Sequence, residues 1–203
     1  MIVIIDYGIG NLASVQNMLK KINVKDVIIS GDIDVVSKAE KLILPGVGSF
    51  DAGMNNLLNS GLIDTLNKKV LEEKVPILGI CLGMQLMTLR SEEGSKKGLG
   101  WINAETLKFS FPSDSIFKIP HMGWNYISIT KANPLIDLNS KNKFYFVHSY
   151  YVKCAHEDEI IGTTNYNIEF TSFFNLNNIY GVQFHPEKSL KFGMKLLENF
   201  SKL

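Results

Sequence analysis

Along the first half of the chain, short apolar runs alternate with longer stretches in which apolar residues recur every three or four positions. The runs are Ile2 to Asp6, Val27 to Ser30, Leu42 to Leu44 and Ile77 to Ile80, and the amphipathic stretches are Leu12 to Ile22 and Leu57 to Leu71. Strand followed by helix, repeated, predicts a parallel sheet covered on both faces. The strands are apolar at successive positions, as burial on both sides requires, with Ile2 to Ile5 and Ile77 to Ile80 the best central ones. The second half changes period. Glu105 to Phe109, Asn125 to Thr130, Phe144 to Val147, Ile160 to Thr164, Glu169 to Phe174 and Ile179 to Phe184 read as short strands between polar turns, hence as antiparallel hairpins. Ser189 to Leu203 predicts a closing helix with Phe192, Leu196, Leu197 and Phe200 on one face. The fold class is therefore α/β: a mostly parallel central sheet flanked by helices, with antiparallel strands added in the C-terminal half.

Composition limits this picture in a few useful ways. A chain of 203 residues, 45% hydrophobic, can bury one substantial core but not two, so a single domain over residues 1–203 is expected. Twenty-one basic against twenty acidic residues, scattered rather than clustered, point to neither nucleic acid nor an anionic membrane. No run reaches the roughly 20 apolar residues of a membrane span, and the first residues lack a signal-peptide pattern. Two cysteines make no disulfide framework, which favours a reduced, cytoplasmic setting.

In a doubly covered parallel sheet, ligands sit beyond the carboxyl ends of the strands, so the residues following each run carry the candidate chemistry. Gly79-Ile80-Cys81-Leu82-Gly83 follows an apolar strand and precedes a helical pattern, the arrangement of a nucleophile elbow with sulfur as nucleophile. The glycines should let the strand reverse sharply, leaving the Cys81 thiol exposed at a helix amino terminus that favours thiolate. Taken alone, such a cysteine is more often an inert buried thiol. A base is available at the end of Ile179 to Phe184, where His185 is followed by Pro186 and Glu187. In an extended segment, residues two apart point the same way, so Glu187 can orient the His185 imidazole. A third strand end, Pro45-Gly46-Val47-Gly48, offers backbone amides for the negative charge that builds on an attacked carboxamide. The amides of Val47 and Leu82 are the candidate oxyanion hole, and Gly46 and Gly48 permit backbone angles that other residues resist. Cys154 has no base or glycine elbow beside it and reads as packing; His156 reads as solvated. His121 carries no chemistry that the sequence alone supports.

Gly-Ile-Cys-Leu-Gly-Met-Gln (79–85), His-Pro-Glu (185–187) and Pro-Gly-Val-Gly (45–48) resemble the class I (triad) glutamine amidotransferases, in the order that family places them. Within that family the chain is most similar to the glutaminase subunits of imidazole glycerol phosphate synthase. The residues responsible are 5–12 (Ile-Asp-Tyr-Gly-Ile-Gly-Asn-Leu), 120–125 (Pro-His-Met-Gly-Trp-Asn), 145–150 (Tyr-Phe-Val-His-Ser-Tyr) and 180–189, spanning most of the chain. The resemblance implies a flavodoxin-like fold and a Cys81, His185, Glu187 triad that frees ammonia from glutamine through a glutamyl thioester. It implies no metal or organic cofactor. Gly46, Gly48, Gln85, His148, Ser149 and Tyr150 would hold glutamine. Gln85 follows Cys81 by four residues and so shares its helical face. The resemblance also implies a heterodimer with a (β/α)8-barrel cyclase subunit that receives the ammonia, with Asn11, Trp124, Tyr145 and Lys188 facing or gating that partner.

Two features leave alternatives open. Gly-Leu-Gly-Trp-Ile-Asn (98–103) departs from the Gly-Leu-Gly-x-Ile-Pro-Gly of the histidine-pathway subunits, and residues 185–194 also resemble relatives that supply ammonia for sugar amidation in surface-polysaccharide biosynthesis. Outside this chemistry stand a non-catalytic regulatory subunit and a thiol hydrolase or peptidase with the same elbow.

Overall fold

The computed structural model describes residues 1–138 and 140–203. Its first half contains β1 (Ile2–Ile5), α1 (Leu12–Lys21), β2 (Val27–Ser30), α2 (Ile33–Ser37), β3 (Lys41–Gly46), α3 (Phe50–Asn59), α4 (Ile63–Asn67), β4 (Ile77–Cys81) and α5 (Leu82–Leu86). The second half contains β5 (Arg90–Ser91), β6 (Ala104–Lys108), β7 (His121–Ile129), β8 (Asn142–His148), β9 (Tyr150–Cys154), β10 (Ile160–Tyr166), β11 (Ile168–Leu176), β12 (Ile179–Val182) and α6 (Leu190–Ser201).

The strands run in the order β2-β1-β3-β4-β12-β11-β10-β7-β8. From β2 to β12 every pairing is parallel, and from β12 through β11, β10 and β7 to β8 every pairing is antiparallel. β12 is the joint: Ile179 to Val182 pair in register with Ile77 to Ile80, which sets the strand carrying His185 beside the strand carrying Cys81. β5, β6 and β9 form a branch from β11, with Thr171 opposite Val152. Side chains alternate between the two faces of the parallel half. Val3, Ile5, Leu42 and Leu44 pack with α3 and α5 residues such as Phe50, Met54 and Leu86. Ile2, Ile4, Ile43 and Ile80 pack on the other face with Val15 and Leu19 of α1 and Leu196, Leu197 and Phe200 of α6. Each such fully buried side chain contributes about 1.5–3 kcal/mol, so the central strands are the rigid frame on which the strand ends sit. Among the described residues, no helix is long and apolar enough to cross a membrane.

Three expectations need amendment. The stretch from Leu57 to Leu71 is not one helix: α3 stops at Asn59, Gly61 takes φ +72°, and the chain restarts as α4 before a π turn at Lys68–Glu72. A left-handed glycine just past a helix end satisfies its last carbonyls and redirects the chain, which the apolar periodicity across the break conceals. β7 begins at His121, four residues before the predicted strand, and β9 was not predicted. Glycine and polar residues interrupt the start of β7, and β9 has only five residues, too few for a clear alternation.

The elbow between β4 and α5 depends on close packing at Gly83, where a Cβ would lie 1.7 Å from the Leu44 carbonyl oxygen of β3. We expect Gly83→Ala to push α5 off the sheet and lower unfolding free energy by about 3 kcal/mol, measured by urea denaturation.

Candidate active site

β4 turns into α5 at a single residue. Cys81 has φ 55° and ψ −110°, a backbone region that non-glycine residues avoid. This bend aims the side chain across the carboxyl end of the sheet. The thiol is only 8% exposed, so it lies at the base of a cleft, not exposed at the bend as the sequence suggested. The hairpin half of the sheet overhangs it: Sγ is 3.9 Å from the Val147 carbonyl oxygen at the end of β8.

His185 follows β12 and reaches the same place. Its Nδ1 is 2.8 Å from Glu187 Oε1, and both side chains are almost wholly buried. The two residues meet by a different route from the one expected. Pro186–Lys188 form a 3-10 turn, with the Lys188 amide donating to the His185 carbonyl at 3.1 Å, so Glu187 comes beside His185 by a turn and not by strand alternation. Proline suits the first position of such a turn, because its fixed φ is already helical and its missing N–H has no partner to lose. Burial pushes the His185 imidazole down, but the neighbouring Cys81 and Glu187 side chains outweigh it and raise the ring to about 10; among the described residues, Nε2 itself makes no hydrogen bond. The backbone of His185 is clamped as well. Its amide donates to the Tyr145 carbonyl at 2.9 Å; Ser189 Oγ donates to the His185 carbonyl at 2.6 Å and accepts the Tyr145 amide at 3.0 Å.

Val47, Gly48, Cys81, Leu82, Gln85, Glu93, His148, Ser149, Tyr150, His185 and Lys188 line one cleft of about 320 Å³, which also touches Pro120 and Val147. That volume suits a small polar metabolite. Gly46 is the register partner of Cys81 and so brings Val47 next to Leu82. Gly46 itself continues β3 and is needed for close approach, since a Cβ there would lie 2.7 Å from the Tyr7 hydroxyl and 2.9 Å from the Leu82 Cβ. Gly48 does take the left-handed angle, φ +98°. Of the glutamine-binding candidates, Gly48, Gln85, His148, Ser149 and Tyr150 reach the cleft, and Gly46 stands behind its wall.

Gln85 is buried, its amide donating to the Tyr150 carbonyl and to Gln183 Oε1, each at 3.1 Å. Gln183 is fully buried and donates to Cys81 Sγ at 3.8 Å. Sequence reading missed Gln183, although a glutamine inside the run Tyr180 to Phe184 was a signal. It missed Glu93 too, which no local pattern marks: Glu93 sits in the cleft wall and its Oε2 accepts the Phe50 amide at the start of α3 at 2.8 Å.

The residues expected to face a partner come from several elements. Trp124 and Tyr145 are register partners on β7 and β8 with rings 6.2 Å apart, and Lys188 Nζ lies 5.9 Å from the Tyr145 ring. Met122, Trp124 and Tyr126 point outward from the same strand at 60%, 41% and 55% exposure, an apolar row of which the sequence reading marked Trp124 alone. Asn11 belongs to another element, at the start of α1, where its carbonyl accepts the Val15 amide; α1 packs on the Pro186–Lys188 turn.

A raised imidazole has a thermodynamic signature. The protonated form contributes stability that is fully present below the unfolded value of 6.5 and is lost as pH rises through the folded value near 10. Thermal melts across this range should show wild-type stability falling with pH. Glu187→Gln removes one raising partner and should flatten that slope, by up to about 1.4 kcal/mol per pH unit; equal slopes would mean the His185 and Glu187 side chains are not coupled.

The class-I glutamine amidotransferase family model matches residues 3–203. A relative from Methanococcus maripaludis, imidazole glycerol phosphate synthase subunit HisH 2, is 62% identical over 203 residues, covering 100% of this chain and 99% of its own. HisH 2 of Pseudomonas aeruginosa is 49% identical over 204 residues, with 100% of both chains covered. HisH 1 of the same Methanococcus is 45% identical over 209 residues, again with 100% of both covered. Among solved structures, a protein described as a glutamine amidotransferase superposes with a TM-score of 0.77 at 15% identity, over 98% of this chain and 97% of that one. A chain of the PurLQS structure from Thermotoga maritima gives 0.70 at 15% identity, over 99% of this chain and 97% of that one; at these identities the likeness is one of fold. With the family matched nearly from end to end, and with relatives of this identity over their whole length, the chain belongs to the class-I glutamine amidotransferases, among the subunits named HisH.

Proposed function

We propose that this chain is the cytoplasmic glutaminase subunit of an imidazole glycerol phosphate synthase, one domain over residues 1–203, with Cys81, His185 and Glu187 as its catalytic triad. The observation that carries this reading is the convergence of a strained strand-end thiol and a buried His185–Glu187 pair on one cleft of amino-acid size. The Cys81 proton rests on His185, whose raised imidazole holds it, before Sγ attacks the carboxamide carbon of glutamine. Oxygen takes the negative charge beside the Val47 and Leu82 amides. The C–N bond then breaks, the His185 proton leaves with ammonia, and a glutamyl thioester remains. Water, deprotonated by His185, cleaves the thioester to glutamate and restores the thiol. Glu187 holds the ring in one orientation throughout. Gln85, His148, Ser149 and Tyr150 hold glutamine between them, and the Glu93 carboxylate suits its α-ammonium.

Ammonia exposed to water is protonated and lost as a nucleophile, so the product requires a shielded route to its acceptor. The exposed row Met122, Trp124 and Tyr126, with Tyr145 and Lys188 beside it, favours docking of a (β/α)8-barrel cyclase subunit at the mouth of the cleft, as a heterodimer. A second acceptor is favoured by one observation: Methanococcus maripaludis holds two HisH subunits, and this chain is 62% identical to the second and 45% to the first. In the second reading, the ammonia is used in sugar amidation. Complementation of a histidine auxotroph by this chain with its cognate barrel subunit separates the two, since rescue requires the histidine-pathway acceptor.

In the assembled complex, Cys81→Ala should lower glutamine-dependent synthesis by at least about a thousandfold while synthesis from added ammonium salt continues. Loss of both activities would make Cys81 structural and end the reading.

A further inference from the structure

In the cleft wall, His148 backs onto His121, and the proposed chemistry uses the protonation of neither imidazole. His121 and His148 are register partners on β7 and β8, 3% and 6% exposed. His121 is sandwiched between the rings of Tyr166 and Phe146, at centroid distances of 4.0 and 4.8 Å. His148 packs against Phe109 and Phe170. Such a cage disfavours a charged ring, and burial pushes His121 down to about 4 and His148 to about 3. Both rings are therefore neutral at physiological pH, each with one N–H and one bare nitrogen.

That constraint fixes the direction of every hydrogen bond between these groups. The Tyr150 carbonyl lies 2.7 Å from His148 Nδ1 and can only accept, so Nδ1 carries the hydrogen of His148. His148 Nε2 must then accept, and its partner at 2.9 Å, His121 Nδ1, must donate. His121 Nε2 accepts in turn from the Asn125 amide at 3.3 Å, and Asn125 gives its second hydrogen to the Asn165 carbonyl at 3.1 Å. All four ring nitrogens are satisfied by one arrangement only. The relay ends on the Tyr150 carbonyl, which also receives the Gln85 amide that lines the cleft.

We propose that His121 is a positioning residue for glutamine binding: through His148 it fixes the Tyr150 carbonyl, and through that carbonyl the Gln85 side chain. The inference rests on the glutaminase reading. It explains why two histidines occupy an aromatic core where apolar residues would pack equally well. His148 also neighbours His185, and a neutral ring there leaves the proton-carrying role to His185 alone.

The test combines spectroscopy with kinetics. In protein labelled with ¹⁵N-histidine, long-range ¹H–¹⁵N correlations at neutral pH should place the hydrogens of His121 and His148 on Nδ1, the tautomer that free histidine disfavours. His121→Asn keeps a donor at the Nδ1 position, whereas His121→Leu removes it and leaves His148 Nε2 unpaired. Measured as the complex with the barrel subunit, the leucine variant should raise KM for glutamine about tenfold, with kcat little altered. The asparagine variant should stay within about threefold of wild type, with His148 still in its Nδ1–H form. A wild-type His148 with its hydrogen on Nε2, or a folded leucine variant with wild-type KM, overturns the proposal. Should the leucine variant not fold, the tautomers of wild type and the asparagine variant decide. Absence of glutamine turnover in the wild-type complex would instead count against the glutaminase reading, and the tautomer spectra would still accept or reject the imidazole relay.

Discussion

Holding a cysteine at φ 55° and ψ −110° costs on the order of 1–3 kcal/mol, so Cys81 keeps this conformation only because its surroundings leave no other. β4 lies between β3 and β12 with every residue buried, and the chain must enter α5 without leaving the sheet. Gly83 presses against the Leu44 carbonyl, while Gly79 takes the same helix from the other side, where a Cβ would meet the Met84 amide nitrogen at 2.8 Å. The bend is a solution to this crowding. Its chemical result is a thiol set across the sheet's end and not along its strand.

The partners of that thiol arrive through the change from parallel to antiparallel pairing. If β12 were antiparallel to β4, its carboxyl end would lie at the far edge of the sheet, and His185 with it. Parallel pairing of β12 with β4 puts His185 at the cleft, and antiparallel pairing of the next strands then folds β8 back so that Val147 and His148 close over it. Ser189 links these pieces, since one hydroxyl donates to the His185 carbonyl and accepts the Tyr145 amide. A displacement of Tyr145 on the outer face is thus felt at the backbone of His185. One hydroxyl thus ties the outer strand to the turn that holds the His185 side chain.

What the chain declared in its sequence follows from how locally each feature is encoded. The parallel strands, their flanking helices, and Cys81, His185 and Glu187 could all be read, because apolar runs, a glycine elbow and a His-Pro-Glu segment are contiguous. The parallel joint at β12 could not, since pairing with β4 brings together residues far apart along the chain, Ile179 with Ile77. Gln183 looked like one polar residue in an apolar strand; only the fold puts it against both Gln85 and Cys81. Glu93 was invisible because its role depends on α3, whose first amide it accepts. His121 failed for the same reason. A histidine's meaning lies in its second nitrogen, and that partner, His148, belongs to another strand.

The pairing of β7 with β8 carries two unlike faces. His121 meets His148 on the inner side, and Trp124 meets Tyr145 on the outer. Because a strand alternates sides at every residue, a single insertion within either strand would reverse the faces of the residues beyond it and break at least one of the two pairings. Neither face can drift in register without undoing the other. Length variation among relatives should therefore collect in the connection between Thr130 and Lys141, while the two strands keep their residue count, so that a gap placed inside them in an alignment would mark a misalignment before it marked a difference in structure.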